Sequence, residues 1–297
     1  MPLIHLEHPE DTVLTGNLTA LQSLRSGGYL SAKIDGSPAL VWGTDPNDKM
    51  FFIGTKSVFN KRIQKMCKSY SDVKKYYKES LHEILTQCFR YLPNDGNIYQ
   101  GDFIGFGGTE EYQPNTITYK FSDVILENII IAPHTIYKGS SKDIRELTPT
   151  PLTHNLKDTL YTKFVKPEVV NNNCQDDLDT MINFAETIAG AVEFIEDPKD
   201  AAKLCKELNS YIREGREIVP EQFDNINLIR FWKLVLQIKE DFIMECDINH
   251  TQSDPQSYLF GNKHMGEGYV LNNEFGMLKL INRRSFSYAN FNNPKFA

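Results

Sequence analysis

A helix-patterned, acidic stretch interrupts two strand-patterned ones, and this interruption constrains the fold more than any other feature of the chain. Within residues 175–247, Leu178, Met181, Ile182, Ala185, Ile188 and Ala189 recur at three- and four-residue spacing and predict one helix. Ala201, Leu204, Leu208 and Ile212 predict a second, and Ile226, Ile229, Phe231, Trp232, Val235, Leu236 and Ile238 a third. On either side the period falls to two. The expectation is an α+β protein built of antiparallel sheets with a helical insertion. Residues 1–170 form the first part of its core, 171–255 the insertion and 256–297 the last part of the core.

Residues 31–42 are the stretch most suggestive of chemistry. An apolar run (Tyr29, Leu30, Ala32, Ile34) presents Lys33 and Asp35 two residues apart, which places both on one face of a strand. Gly36, Ser37 and Pro38 then read as a turn, and residues 39–42 as the returning strand of a hairpin. A lysine on a strand beside a tight turn can act as a nucleophile when its amine is partly neutral and aimed at an electrophile.

Other elements follow in order. Residues 17–24 have helical spacing and stop at Gly27-Gly28; residues 50–54 read as a strand ending in Thr55-Lys56-Ser57. From Lys56 to Lys78 there are eight cations, including Lys61, Arg62, Lys65 and Lys68, against the single acid Asp72, with Tyr70, Tyr76 and Tyr77 interleaved. Residues 71–91 predict one amphipathic helix whose basic face is either solvated or tracks phosphates. Residues 97–104 alternate and place Asp102 at a strand end. Residues 116–121 and 124–131 predict further strands with His134 just after, and 160–165 closes this part. A polar loop is expected at 249–263, then strands at 267–271 and 275–281 joined by a turn at 272–274, with Arg283 and Arg284 beside them.

Net charge is −7, unevenly distributed. Residues 1–170 carry 19 Lys/Arg and 19 Asp/Glu, residues 171–260 carry 8 and 18, and residues 261–297 carry 5 and 2. The acidic surplus thus sits in the helical segment, where it suits a protein partner, and leaves the flanks free to meet a polyanion. No apolar run approaches the roughly 18 residues of a membrane-spanning helix, so no membrane association is expected. The five cysteines (67, 88, 174, 205 and 246) form no C-x-x-C pair, and the N-terminal residues lack a basic-then-apolar leader. A cytoplasmic protein with reduced thiols is expected, in the host cytoplasm if the source is viral.

Lys33-x-Asp35-Gly36, Gly101-Asp102, Glu267-Gly268-x-Val270 and Lys279 resemble, in that order, the motifs of the covalent nucleotidyltransferase superfamily. This superfamily holds the ATP-dependent RNA and DNA ligases and the mRNA capping guanylyltransferases. Residues 33–37 with Thr55-Lys56-Ser57 resemble the RNA-ligase branch. Residues 33–42, 55–61, 114–117 (Pro114-Asn115-Thr116-Ile117) and 284–291 are also similar to ligase-like proteins of tailed phages.

The resemblance implies an ATP-grasp-like nucleotidyltransferase core in which Lys33 attacks ATP and carries AMP, with Asp35 and Lys279 as its catalytic partners. It implies that Gly36, Thr55, Lys56, Asp102, Glu267, Lys279 and Arg283 meet the nucleotide, and that Glu267 and Asp102 hold Mg²⁺ (or Mn²⁺). It implies joining of 5′-phosphate to 3′-hydroxyl ends, RNA favoured over DNA, with Lys61, Arg62, Lys65 and Lys68 on the polynucleotide. A DNA ligase or guanylyltransferase, or a non-catalytic binding module on this fold, are the alternatives. The chain departs from the pattern at Pro38, Asp102 and Met277, where Arg, Glu and Lys are commoner.

Overall fold

The computed structural model describes residues 7–169, 175–249, 254–264 and 266–291. The extreme N-terminus read for a leader, Cys174 and the expected start of the insertion at 171 lie outside the described residues. Along the chain, α1 (Pro9–Thr12) and α2 (Thr19–Ser26) lead into β1 (Tyr29–Ala32), β2 (Ala39–Thr44) and β3 (Phe51–Gly54). Helices α3 (Tyr70–Tyr76) and α4 (Glu79–Tyr91) follow. Next come β4 (Ile98–Phe106), β5 (Glu111–Tyr112), β6 (Ile117–Lys120), β7 (Ile129–Lys138), β8 (Thr148–Pro151) and β9 (Thr162–Phe164). Three long helices, α5 (Gln175–Ala189), α6 (Pro198–Arg213) and α7 (Ile226–Asn249), realise the 3.6-residue pattern. Strands β10 (Gln256–Leu259), β11 (Asn262–His264), β12 (Gly268–Asn273) and β13 (Gly276–Ile281) then precede α8 (Arg283–Phe291).

The protein is mixed α+β with several antiparallel sheets. Its contacts divide it into two units. The first holds residues 34–167 and the described residues of 254–266; the second holds those of 6–33, 168–253 and 267–297. The helical segment therefore shares a unit with the chain's first helices and with β1, β12 and β13.

In the first unit, the larger sheet runs β3-β2-β4-β7-β8, with β9 pairing parallel to β7. Period-two alternation gives it two buried faces. Leu40, Trp42 and Ile53 join Leu85 and Cys88 of α4, whereas Val41 and Phe52 join Val58, Ile144 and Leu147. A second sheet, β11-β10-β6-β5, completes the unit. In the second unit, β1-β12-β13 carries Leu30, Tyr269, Leu271 and Leu280 onto α2, α5 and α7. Helix α7 is apolar on two sides. Phe231, Val235, Ile238 and Phe242 face that sheet core, and Leu228, Trp232 and Leu236 face α6. Arg230, Gln237, Met244 and Ile248 mark the side of α7 that is left to solvent.

Several expectations are corrected. β1 and β2 form no hairpin: Tyr29–Ala32 pair with residues 269–272 of β12, and both edges of β2 are taken by β3 and β4. β1 ends at Ala32, so Lys33 and Asp35 follow the strand and do not share its face. Asp102 lies inside β4, which continues to Phe106 because residues 105 and 106 still pair with β7. β7 begins only at Ile129, because Ile125 and Asn128 give their backbone groups to the 107–109 turn, and His134 falls within it. The helix expected at 71–91 breaks at Tyr77, whose backbone is extended and whose ring is buried. The segment expected as a loop contains β10 and β11, recruited by the free edge of β6.

Among the described residues no helix is long and apolar enough to cross a membrane. Cys67, Cys88, Cys205 and Cys246 are free thiols, and burial pushes Cys67 and Cys246 up to about 12.

Candidate functional site

Two sets of polar side chains stand out, one on each unit. In the second unit, Lys33 leaves β1 with its backbone N–H donating to Gly268 O at 2.8 Å. Gly268 has φ +135, and a Cβ there would fall 2.1 Å from Leu280 O, so only glycine fits beside β13. That close approach seats Glu267, 3% exposed, at the head of β12. The Lys33 ammonium donates to Glu267 Oε2, and the Lys279 ammonium lies 3.8 Å from Oε1. One buried carboxylate thus meets two ammonium groups, each about a quarter exposed (22% and 28%). The trio sets two ammonium groups around one buried carboxylate, cations of the kind that meet phosphate.

Arg283 does not join it. Its guanidinium is buried and donates to Glu10 Oε1 at 2.7 Å, to both oxygens of Asp11 at 3.0 and 3.1 Å, and to Asn209. Lys239, fully buried, donates to the same Glu10 oxygen at 2.6 Å. The nucleotide role expected for Arg283 is corrected by this burial: its donors already hold α1 and α6 against α8. Glu10, Asp11 and Lys239 carried no signal in the sequence beyond their residue type.

In the first unit, Asp35 is fixed from both ends. Its backbone N–H donates to the Tyr119 hydroxyl at 2.6 Å, and its Oδ2 accepts from Asn115 Nδ2. Gly36 follows where a Cβ would fall 2.5 Å from Phe103 O and 2.9 Å from Asp102 Cβ, so the backbone presses against β4. Two further bonds, Ser37 N to Phe103 O at 2.9 Å and Phe103 N to Pro38 O at 3.0 Å, zip the turn to that strand. Asp35 and Asp102 are thereby neighbours. Asn115 and Tyr119 are residues the sequence reading missed, although Asn115 lies in one of the strings that carried the resemblance. Tyr119 is fully buried, so Tyr119→Phe removes the acceptor of a constrained N–H and is expected to cost about 1–3 kcal/mol. Urea denaturation would show this, and an unchanged midpoint would mean that the clamp is not needed to hold Asp35.

Thr55 caps the short 3-10 turn Lys56–Phe59, its hydroxyl accepting from Ser57 N at 3.3 Å, while Tyr77 bridges Thr55 and Ser57. Lys56, Lys61 and Arg62 are exposed, as are Lys74, Lys75 and Lys78. Lys65 lies over the Tyr77 ring at 5.6 Å. Lys68 differs from these: it ion-pairs with Asp45 and Asp48, so its expected phosphate contact is corrected to a tie between the 45–49 turn and the chain leaving Cys67. His134 Nδ1 lies 2.8 Å from Thr135 Oγ1 on an exposed strand position. Among the described residues no three His, Cys, Asp or Glu side chains gather at metal-binding distance, and Glu267 and Asp102 belong to different units.

By fold, the molecule belongs to the mixed α+β class, and its second unit carries a buried glutamate flanked by two lysines. The chain belongs to the family of unknown function DUF6267, whose family model matches residues 4–223 and 218–295. No curated protein and no solved structure matches it.

Proposed function

We propose that this protein is an ATP-dependent nucleotidyltransferase that carries AMP on Lys33 and delivers it to a polynucleotide 5′-phosphate for sealing by a 3′-hydroxyl, with RNA favoured. The antiparallel sheets would then be an ATP-grasp-like ligase core. The observation that carries this reading is the placement of Lys33 and Lys279 on the buried carboxylate of Glu267. A nucleophilic lysine needs a proton acceptor in contact with its ammonium, and a triphosphate needs neighbouring cations. Glu267 takes the first role and Lys279 the second.

In the step proposed, the Lys33 ammonium gives a proton to Glu267 or to solvent, and the amine nitrogen bonds to the α-phosphorus. The bond from that phosphorus to the bridging oxygen breaks, and pyrophosphate leaves with the electron pair. Lys279 offsets the charge that builds on the phosphate oxygens. The residues fit a divalent cation bound with the substrate: one carboxylate plus phosphate oxygens is a common way to hold Mg²⁺, and Glu267 retains lone pairs beyond those facing the lysines. Bound there, the ion would supply further neutralisation of the phosphates. Roles for Thr55, Lys56 and Asp102 on the nucleotide rest on motif order alone. The exposed cations of residues 56–78 suit a polynucleotide backbone.

Intact-mass spectrometry after incubation with ATP and Mg²⁺ tests the reading. A gain of roughly 329 Da, one AMP as a phosphoramidate, is expected. It should vanish in Lys33→Ala and reverse with pyrophosphate. If neither ATP nor GTP leaves an adduct, the chain is a binding module and the enzymatic reading is wrong. Adenylate transfer to 5′-phosphorylated RNA and DNA oligonucleotides separates the substrates.

A further inference from the structure

The second unit contains a cavity of about 400 Å³ that none of the residues discussed above as nucleotide contacts line. Its apolar wall is Ile212, Ile218, Trp232 and Leu236, all buried. Its charged wall is Arg216, Lys233 and Arg284 with the single acid Glu217. The volume is on the scale of small-molecule sites and many times the share of one water, and the apolar wall offers water few partners.

The cations are held in place, but not equally neutralised. Arg216 stacks on the Tyr211 ring at 3.8 Å and pairs with Glu214 at 2.6 Å. Arg284, 63% exposed, pairs with Glu240 at 3.3 Å. Lys233 donates to the Ile218 carbonyl at 2.9 Å, and among the described residues no carboxylate ion-pairs with it. A main-chain carbonyl orients an ammonium without cancelling its charge. Lys233 is therefore a fixed positive charge at the edge of an apolar hollow. Arg284 stands on the same rim on a long, exposed side chain that can turn from Glu240 to a second carboxylate. Glu240 Oε1 is buried without a hydrogen bond, so Arg284 meets it by charge alone, and burial raises its carboxyl above the usual range.

We propose that this cavity binds a small apolar carboxylate, its anion meeting Lys233 and Arg284 and its body lying against Trp232, Ile212, Ile218 and Leu236. A single carboxylate can meet Lys233, whose ammonium is oriented by a carbonyl alone, while Glu217 is the one lining acid it must avoid. A cation would meet Lys233 un-neutralised at the rim, and a neutral alkyl compound would leave that ammonium without a counter-charge.

Octanoate is the probe, with 1-octanol and octylamine as controls for charge. Trp232 lines the cavity, and the only other tryptophan, Trp42, makes no hydrogen bond through its buried Nε1, so Trp42→Phe isolates the reporter. Calorimetry on the unaltered chain and Trp232 emission in the Trp42→Phe variant should both saturate with octanoate, with a Kd of about 1 mM for a ligand of this size. Lys233→Gln should weaken binding by about tenfold, the loss of one charge-assisted contact. Arg284→Gln, altering an exposed side chain that leaves the fold intact, should weaken it severalfold. Absence of saturable binding to the unaltered chain would overturn the proposal. So would equal binding of 1-octanol, or octanoate affinity unchanged in both variants.

Discussion

Lys239→Met is expected to destabilise the protein by about 3–5 kcal/mol at neutral pH, the usual effect of removing one member of a buried ion pair. Lys239 and Glu10 are both fully buried, and Glu10 Oε1 receives Lys239 at 2.6 Å and Arg283 at 2.7 Å. Against the opposing penalty of burial, Lys239 and Arg283 hold the Glu10 carboxyl down at about 2. Glu10 Oε2 is already buried without a hydrogen bond, so the carboxylate has no alternative donor. Arg283 remains in the variant but must also serve Asp11 and Asn209. The sign with pH is fixed by Glu10. With one cation lost, its protonated form becomes easier to reach, so the deficit should shrink as pH falls towards 4. Adding Glu10→Gln to Lys239→Met should recover part of the loss, because an uncharged amide is less costly to bury than an unpaired carboxylate. Guanidinium denaturation followed by circular dichroism measures all three. A deficit below about 1 kcal/mol for Lys239→Met would mean that solvent reaches Glu10.

This cluster also marks where sequence reasoning stops. The helices at 178–189, 201–212 and 226–238 were legible because burial of one face imposes a 3.6-residue recurrence that survives whatever the helix packs against. The strand at 268–273 and its turn were legible because alternation and turn chemistry are local. Partner choice is not local. β1 pairs with β12, some 240 residues away, and nothing in Tyr29–Ala32 distinguishes that partner from the nearer β2. The same holds for ions. Arg283 and Lys68 looked like phosphate contacts, yet each is held by acids brought in from other segments, Glu10 and Asp11 in one case and Asp45 and Asp48 in the other. Lys33, Glu267 and Lys279 fall together because β1 and β13 both pair with β12, an arrangement that no local charge pattern encodes.

Acidification from pH 7 to pH 5 is expected to cost about 2 kcal/mol through His8 alone. Burial, helped by the charges of Arg283, Lys239 and Lys279 and opposed by Glu10, lowers the His8 imidazole from its ordinary 6.5 to about 2. Its Nδ1 is buried without a hydrogen-bond partner. The folded protein therefore keeps His8 neutral, while the unfolded chain protonates it near pH 6.5. Between those values the unfolded state binds the extra proton, so the stability present above pH 6.5 drains away as pH falls, by about 1.4 kcal/mol per unit once well below it. Glu10 acts in the same direction but lower down: its depressed carboxyl stabilises above about 4.5, and that contribution is lost as pH drops towards about 2. His8 thus governs the first window and Glu10 the second. The chain holds seven histidines, so the decisive quantity is a difference. His8→Gln cannot titrate, and its loss between pH 7 and pH 5 should be smaller than that of the unaltered chain by about 2 kcal/mol. Equal losses in the two proteins would place the His8 proton in contact with solvent and remove burial as the cause of acid sensitivity.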